Sequence, residues 1–296
     1  MNYQEFVGSV TDFLRESLPS GTKLEMLPLE KNNGVILDGL SIRRQGQKVA
    51  PTIYMDAYYR EYLDGRSLKG ICDQIIECCS NTDFEEKFNA DFFSDYSRLQ
   101  HTVVYKLINA EKNRELLKKI PHLPFLDLAI VFYCLLEDTP VGNATVLIHN
   151  SHLKLWKAGC SDLYRDAKAN AVKLLPARLS SMADVIRELS GGLEEPEEVG
   201  VPMYVLTNSQ KSLGAACILY EGVLESCADR IGGEFYMLPS SIHEVIMVPA
   251  SAVGDEQELT AMVRDINRTQ VRDTEILSDN IYRYSPVSGK LTLIEG

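Results

Sequence analysis

The stretch from Leu238 to Pro249, LPSSIHEVIMVP, places two serines, a histidine and a glutamate within Ser240–Glu244 and follows them at once with apolar residues. Serine beside histidine is the material of a nucleophile and its general base, with a carboxylate to orient the ring. On that reading Ser241 attacks, His243 takes the proton and Glu244 orients the imidazole, a hydrolase-like arrangement. Strand geometry opposes it. Side chains two positions apart on one strand are separated by roughly 7 Å at a rise of ~3.3 Å per residue. His243 and Glu244, as neighbours, would point to opposite faces. A polar turn accounts for the same residues: Ser240 and Ser241 pair with backbone groups and His243 finds a partner near the core. A zinc-protease HExxH is excluded, because its second histidine would fall where Met247 stands.

Three other groups carry polar chemistry. LINAEKNRELL holds Asn109 and Asn113, and His122 and Asp127 follow around prolines. A capped strand–helix–strand connection absorbs all four. His149 and His152 form an HxxH beside Trp156, but no third ligand is evident, so no metal site is expected. PTIYMDAYYREYLDG is rich in tyrosine, with Tyr58 and Tyr62 one helical turn apart. They suit an aromatic binding surface or the edge of a core. Gly-rich phosphate loops, dinucleotide fingerprints and nucleophile elbows do not occur, and no cofactor is implied.

The elements that must position these residues are legible in part. Tyr3, Phe6, Val7, Val10, Phe13 and Leu14 repeat at helical spacing, as do Leu68, Ile71, Cys72, Ile75 and Ile76 behind Ser67. Met182, Val185, Ile186 and Leu189 follow Ser181 and Asp184. Leu259, Met262, Val263 and Ile266 follow Asp255 and Glu258. Both pairs are helix-start signatures. Strands are expected at TKLEMLPLE and NGVILDGLSI around an Asn33-Gly34 turn, at HTVVYKLIN, FLDLAIVFYCLL and ATVLIHN, and at MYVLTN, GAACILY, EFYMLP and HEVIMVP, with a terminal hairpin NIYRYSPVSGKLTLI. For residues 212–231 one long helix is an alternative to strand plus helix, opposed by Gly214 and Gly222. Strands and helices lack a βαβ rhythm, so the expected class is α+β, with mostly antiparallel sheets flanked by helices. SGGLEEPEEVG divides two such units, residues 1–190 and 200–296, with 191–199 as an acidic linker.

Bulk properties narrow the function. A formal net charge of −12 repels phosphate backbones and disfavours general nucleic-acid binding. The longest apolar run, Ala129–Leu136, is far short of the ~20 residues of a membrane helix, and the N-terminus lacks a signal pattern. Seven cysteines without a CxxC pair suit a reducing, cytoplasmic compartment, with Cys78 the thiol off the apolar stripe of its helix.

With LINAEKNRELL, PHLPFLDLAIVF, GAA, LPSSIHEV and LSDNIYRY in view, the chain resembles an uncharacterised family of clostridial gut bacteria known only as a domain of unknown function. Met203–Pro249 is also similar to the C-terminal part of an unassigned family in bacilli. The resemblance implies a cytosolic bacterial protein and supplies no activity. The expectation is therefore a binding protein for a protein or small-molecule ligand, through Ser240, Ser241 and His243 or through Tyr58 and Tyr62. A hydrolase using His243 as base is the alternative.

Overall fold

The computed structural model describes residues 1–47, 52–80, 90–139, 142–191, 201–239 and 241–294. The protein is α+β, and its sheets are mostly antiparallel. Its contacts separate two compact units. The smaller comprises residues 1–31, 35–99 and 135–146, and the larger comprises 32–34, 100–134 and 147–296.

In the smaller unit Asn2 and Glu5 cap helix α1 (Tyr3–Ser17) reciprocally. Strands β1 (Lys23–Glu30), β2 (Ile36–Arg43) and β3 (Thr52–Tyr54) form one sheet in that order. Helices α2 (Met55–Leu63), α3 (Leu68–Ser80), α4 (Ala90–Ser94) and α5 (Tyr96–Leu99) follow. Phe6, Val10 and Leu14 of α1 pack with Leu40, Met55, Ile71 and Ile75, the apolar stripes that the spacing predicts. Ser67 Oγ accepts the Gly70 N–H at 3.1 Å, as expected for the cap of α3. The turn between β1 and β2 places Asn33 and Gly34 at φ 61° and 70°, a backbone that Asn-Gly tolerates best.

The larger unit contains β4 (Val103–Asn109), α6 (Arg114–Leu117), β5 (His122–Phe125) and β6 (Leu128–Thr139), whose last five residues belong to the smaller unit. Strand β7 (Gly142–Leu147), of which all but Leu147 belongs to the smaller unit, pairs with β6. There follow α7 (Asn150–Trp156), α8 (Cys160–Leu174), β8 (Ala177–Ser181), α9 (Met182–Leu189), β9 (Tyr204–Asn208), α10 (Val223–Ile231), β10 (Phe235–Leu238) and β11 (Val245–Pro249). Helix α11 (Glu256–Gln270) and the hairpin β12 (Ile281–Ser285) and β13 (Lys290–Ile294) complete it. Six of these strands form one sheet in the order β13-β12-β10-β11-β9-β8.

Strand β8, before the acidic segment, is thus the neighbour of β9, after it. The contact division accordingly falls elsewhere than at 190–200, and residues 192–200 lie outside those described. GAACILY is not a strand. Residues Gly214–Leu219 form a 3₁₀ turn, and Gly222 at φ 75° separates it from α10. The chain here approaches β9 so closely that a Cβ on Gly214 would clash with Thr207 Oγ1, the Asn208 nitrogen and the His243 carbonyl.

The two faces of the large sheet are covered unequally. Phe235, Met237, Val245, Met247 and Leu206 are all buried on one face. On the other, Tyr236, Leu238 and Val248 pack against Leu259 and Val263 of α11. Met262 and Ile266, which share the helical repeat of that stripe, remain 44% and 39% exposed, so the buried stripe is narrower than the spacing suggests.

Between α11 and β12 the chain runs without regular structure, yet Leu277 and Ser278 are fully buried. A buried carbonyl needs a donor. Here donors from elsewhere in the chain, five of them from side chains and one a backbone N–H, serve six consecutive residues. Asn33 Nδ2 donates to the carbonyls of Asp273 (2.7 Å) and Ile276 (2.8 Å), and Asn32 Nδ2 to that of Thr274 (2.8 Å). The Ile242 N–H serves Glu275 at 2.9 Å. Asn109 serves Leu277 at 3.0 Å, and Asn267 serves Ser278 at 2.8 Å. Asp127 receives Ser278 Oγ, Asn280 Nδ2 and Tyr282 Oη at 2.5, 3.1 and 2.6 Å. Asn113 locks the network by donating to Asn33 Oδ1 and the Asn109 carbonyl. Burial would raise the Asp279 carboxyl, but hydrogen bonding from Asn267 and the Lys112 ammonium outweigh it and hold its pKa below the ordinary value.

Two measurements check this network. Asn109→Ala strands the Leu277 carbonyl and should lower unfolding stability by about 2 kcal/mol in urea titrations; an unchanged midpoint would show that the buried carbonyl has no need of it. Because the folded pKa of Asp279 lies below its unfolded value of ~3.9, the stability it contributes is present above that pH and is lost as pH falls through the folded value. Asp279→Asn should therefore flatten the acid limb of the stability–pH curve below about pH 4, while leaving its slope near neutrality unaltered.

Candidate functional site

Ser241–Glu244 form a turn that leads into β11, which begins at Val245 rather than at His243. The Ser241 N–H donates to the Glu244 carbonyl at 3.3 Å, and Ser241 Oγ accepts the His243 N–H at 3.0 Å while donating to Glu244 Oε1 at 3.2 Å. Ser240 lies outside the described residues. Ser241 and His243 are therefore joined through the backbone, not as hydroxyl and imidazole. The ring is engaged elsewhere. Its Nδ1 accepts the Leu213 N–H at 3.1 Å, which leaves the proton on Nε2, 3.3 Å from Glu275 Oε1. Glu275, not Glu244, is the carboxylate that orients His243, and neither ring nitrogen faces a nucleophile. Arg272 pairs with the same Glu275 oxygen.

What the turn does is hold neighbouring chain. The His243 carbonyl accepts Thr207 Oγ1 at 2.8 Å and the Ile242 carbonyl accepts the Ala215 N–H at 3.3 Å. Between those contacts Lys211 and Leu213 adopt φ of 51° and 56°, left-handed values that cost a non-glycine residue on the order of 1 kcal/mol each. Asn208 offsets this strain by accepting the N–H groups of Gln210 and Ser212 and donating to the Ser212 carbonyl at 2.7 Å. His243 supplies the remaining acceptor, at Leu213.

The loop so held carries Lys211 to the boundary between two hollows. One, of about 500 Å³, is polar and open, lined by Ser241, His243, Glu244, Gln270, Arg272 and Glu275 among others. The second, of about 290 Å³, lies between α9 and the sheet. Its floor is Arg178 and Ser180 of β8, Val205 and Thr207 of β9, and Ile246 of β11; its roof is Met182, Val185 and Leu189. The register pairs Ser180 with Val205 and Val205 with Ile246, so these floor residues share one face. Ile246 also packs against the cluster that α11 covers, which places both helices on that face. Lys211 and Glu244 line both hollows, which are therefore neighbours, and the two are called the groove.

The other sequence candidates fall elsewhere. Tyr58 and Tyr62 are half-buried against the core of the smaller unit, where Tyr62 lies 5.4 Å from the Phe6 ring. Burial, and secondarily Cys78, push the Tyr58 phenol up to about 12. They form the edge of a core. His149 caps α7 and donates its N–H to His152 Nδ1, whose ring stacks on Trp156 at 5.3 Å. Burial holds both imidazoles below their ordinary pKa, aided by Lys119 at His149 and by His149 at His152. Among the described residues no cluster of three or more His, Cys, Asp or Glu is arranged to hold a metal ion, and no helix is long and apolar enough to cross a membrane. Reading the sequence missed Glu275, Lys211 and the cleft beneath α9. Only the last had a signal, the strong amphipathic repeat of Met182–Leu189.

A family model described as Family of unknown function (DUF5688) matches residues 3–286, and the chain belongs to that family. No curated protein and no solved structure matches it.

His243→Ala removes the acceptor of the Leu213 N–H and the partner of Glu275. It should destabilise the fold by about 1–3 kcal/mol and speed hydrogen exchange at the Leu213 amide. An unchanged melting curve with unchanged exchange at Leu213 would show that the ring holds nothing.

Proposed function

We propose that the protein is a cytosolic binding protein whose ligand lies in the groove on the α9/α11 face of the six-stranded sheet. The observation that carries this reading is the uncovered apolar side of α9. Its repeat is strongly amphipathic, yet none of its residues is buried, and Leu189 is 80% exposed. Amphipathic helices ordinarily seat their apolar stripe on a sheet or another helix. Here Met182, Val185 and Leu189 instead roof a cleft whose floor includes Val205 and Ile246. Apolar surface left in water costs about 25 cal/mol per Å², which a ligand entering the cleft would recover. A volume of about 290 Å³ is at the lower end of small-ligand sites.

The polar surroundings support recognition rather than chemistry. Glu188 pairs with Lys211 at 2.7 Å and Arg178 at 3.4 Å along the rim, and His243 is committed to Leu213 and Glu275. The free thiols suit a reducing compartment. The acidic surface favours ligands that are not polyanions.

Titration with the uncharged dye Nile red tests the reading. The full chain should bind about one equivalent, by the single cleft that a ligand-sized apolar site implies. Val185→Trp, which fills the cleft, should abolish dye binding while melting at or above the wild-type temperature. Equal dye binding by both proteins would remove the cleft from consideration.

A further inference from the structure

Among the described residues, the charges along the groove are paired with one exception. Glu188 holds Lys211 and Arg178, and Glu275 holds Arg272 and His243. Glu244 stands where the apolar cleft meets the polar hollow and lines both. Its Oε1 accepts Ser241 Oγ at 3.2 Å, and among the described residues no cation pairs with it. A half-buried carboxylate with one neutral hydrogen bond has lost part of its hydration without gaining a counter-charge. A cation placed there would restore the balance, at the same point where an apolar group would fill the cleft.

The shape of the site says how such an occupant is arranged. The cleft and the hollow are open and meet side by side at Glu244 and Lys211, so the ligand is elongated, with its apolar part and its cation in adjacent positions. In an extended peptide, side chains one or two residues apart lie within about 7 Å, the spacing this junction needs. A net charge of −12 draws basic partners and repels acidic ones. We infer that the groove takes an extended basic–apolar segment of a partner protein, with an aliphatic or aromatic side chain beneath α9 and a nearby Lys or Arg paired to Glu244. This rests on the groove being the binding site proposed above.

A random-peptide display library panned against the full chain tests the inference. Wild type should enrich peptides with Lys or Arg within two residues of a large apolar side chain. The best peptide, followed by fluorescence anisotropy, should bind at least tenfold more weakly to Glu244→Gln, and the binding should weaken with salt. Exchanging its Lys or Arg for norleucine should cost wild type the same factor, which keeps the test intact even if the Gln variant folds poorly. Enriched peptides without a basic residue, lost in Val185→Trp but indifferent to Glu244→Gln, would overturn the cation pairing and leave the groove standing. Peptides that bind Val185→Trp as well as wild type would overturn the groove itself. Failure to enrich any peptide would overturn the peptide class, while Nile red binding decides separately whether the cleft takes a ligand.

Discussion

Six consecutive backbone carbonyls, Asp273 to Ser278, run through the larger unit without a strand or helix to pair them, and residues from four separate stretches of the chain meet their need for donors. An unpaired buried carbonyl costs as much as a lost hydrogen bond, so leaving those of the buried residues Ile276, Leu277 and Ser278 without partners would consume a sizeable part of a domain's stability. Asparagine is suited to the task. Its amide carries two donors and one acceptor on a short stem, so a single side chain can serve two carbonyls, as Asn33 does, or join a carbonyl to another asparagine, as Asn113 does. Asp127 completes the arrangement by gathering Ser278, Asn280 and Tyr282 on one carboxylate. Burial, reinforced by that carboxylate, raises the Tyr282 phenol and keeps it protonated as a donor.

The same segment links this network to the groove. With its carbonyl held by the Ile242 N–H, Glu275 presents its carboxylate to His243 and Arg272. His243 in turn holds Leu213 in a left-handed conformation that its side chain disfavours. The histidine is thus a spacer between two backbone segments, and its local role is to fix the loop that carries Lys211. In three dimensions the ring bridges the Leu213 amide and the Glu275 carboxylate, so both of its nitrogens have partners.

Unequal covering of the sheet explains where binding can occur. On the face carrying Met237, Val245 and Met247 these central side chains are fully buried. The opposite face is covered by α11 over its central strands and by α9 over β8 and β9, and the apolar side of α9 is not seated. Strand β8, the sheet edge on this side, has its Leu179 carbonyl capped by Arg230 at 3.0 Å, which blunts pairing with another strand there.

The sequence by itself determined the α+β class, the capped helices at Ser67, Ser181 and Asp255, the Asn33-Gly34 hairpin and most of the strands, because periodicity and capping are local properties of the chain. Strand spacing does not apply to Ser241 and His243, because the two lie in a turn where Ser241 Oγ meets the His243 N–H rather than the ring. The sequence misread GAACILY, whose apolar run is bent into a 3₁₀ turn by the close packing of Gly214 on β9, a contact no window of neighbouring residues contains. Tertiary structure alone decided that Glu275 rather than Glu244 orients His243 and that four asparagines from positions 32 to 267 converge on one loop. It alone left the apolar stripe of α9 open. In each case the partners lie tens to hundreds of residues apart, and the pairing follows from which buried groups the fold leaves without a donor, an acceptor or a cover.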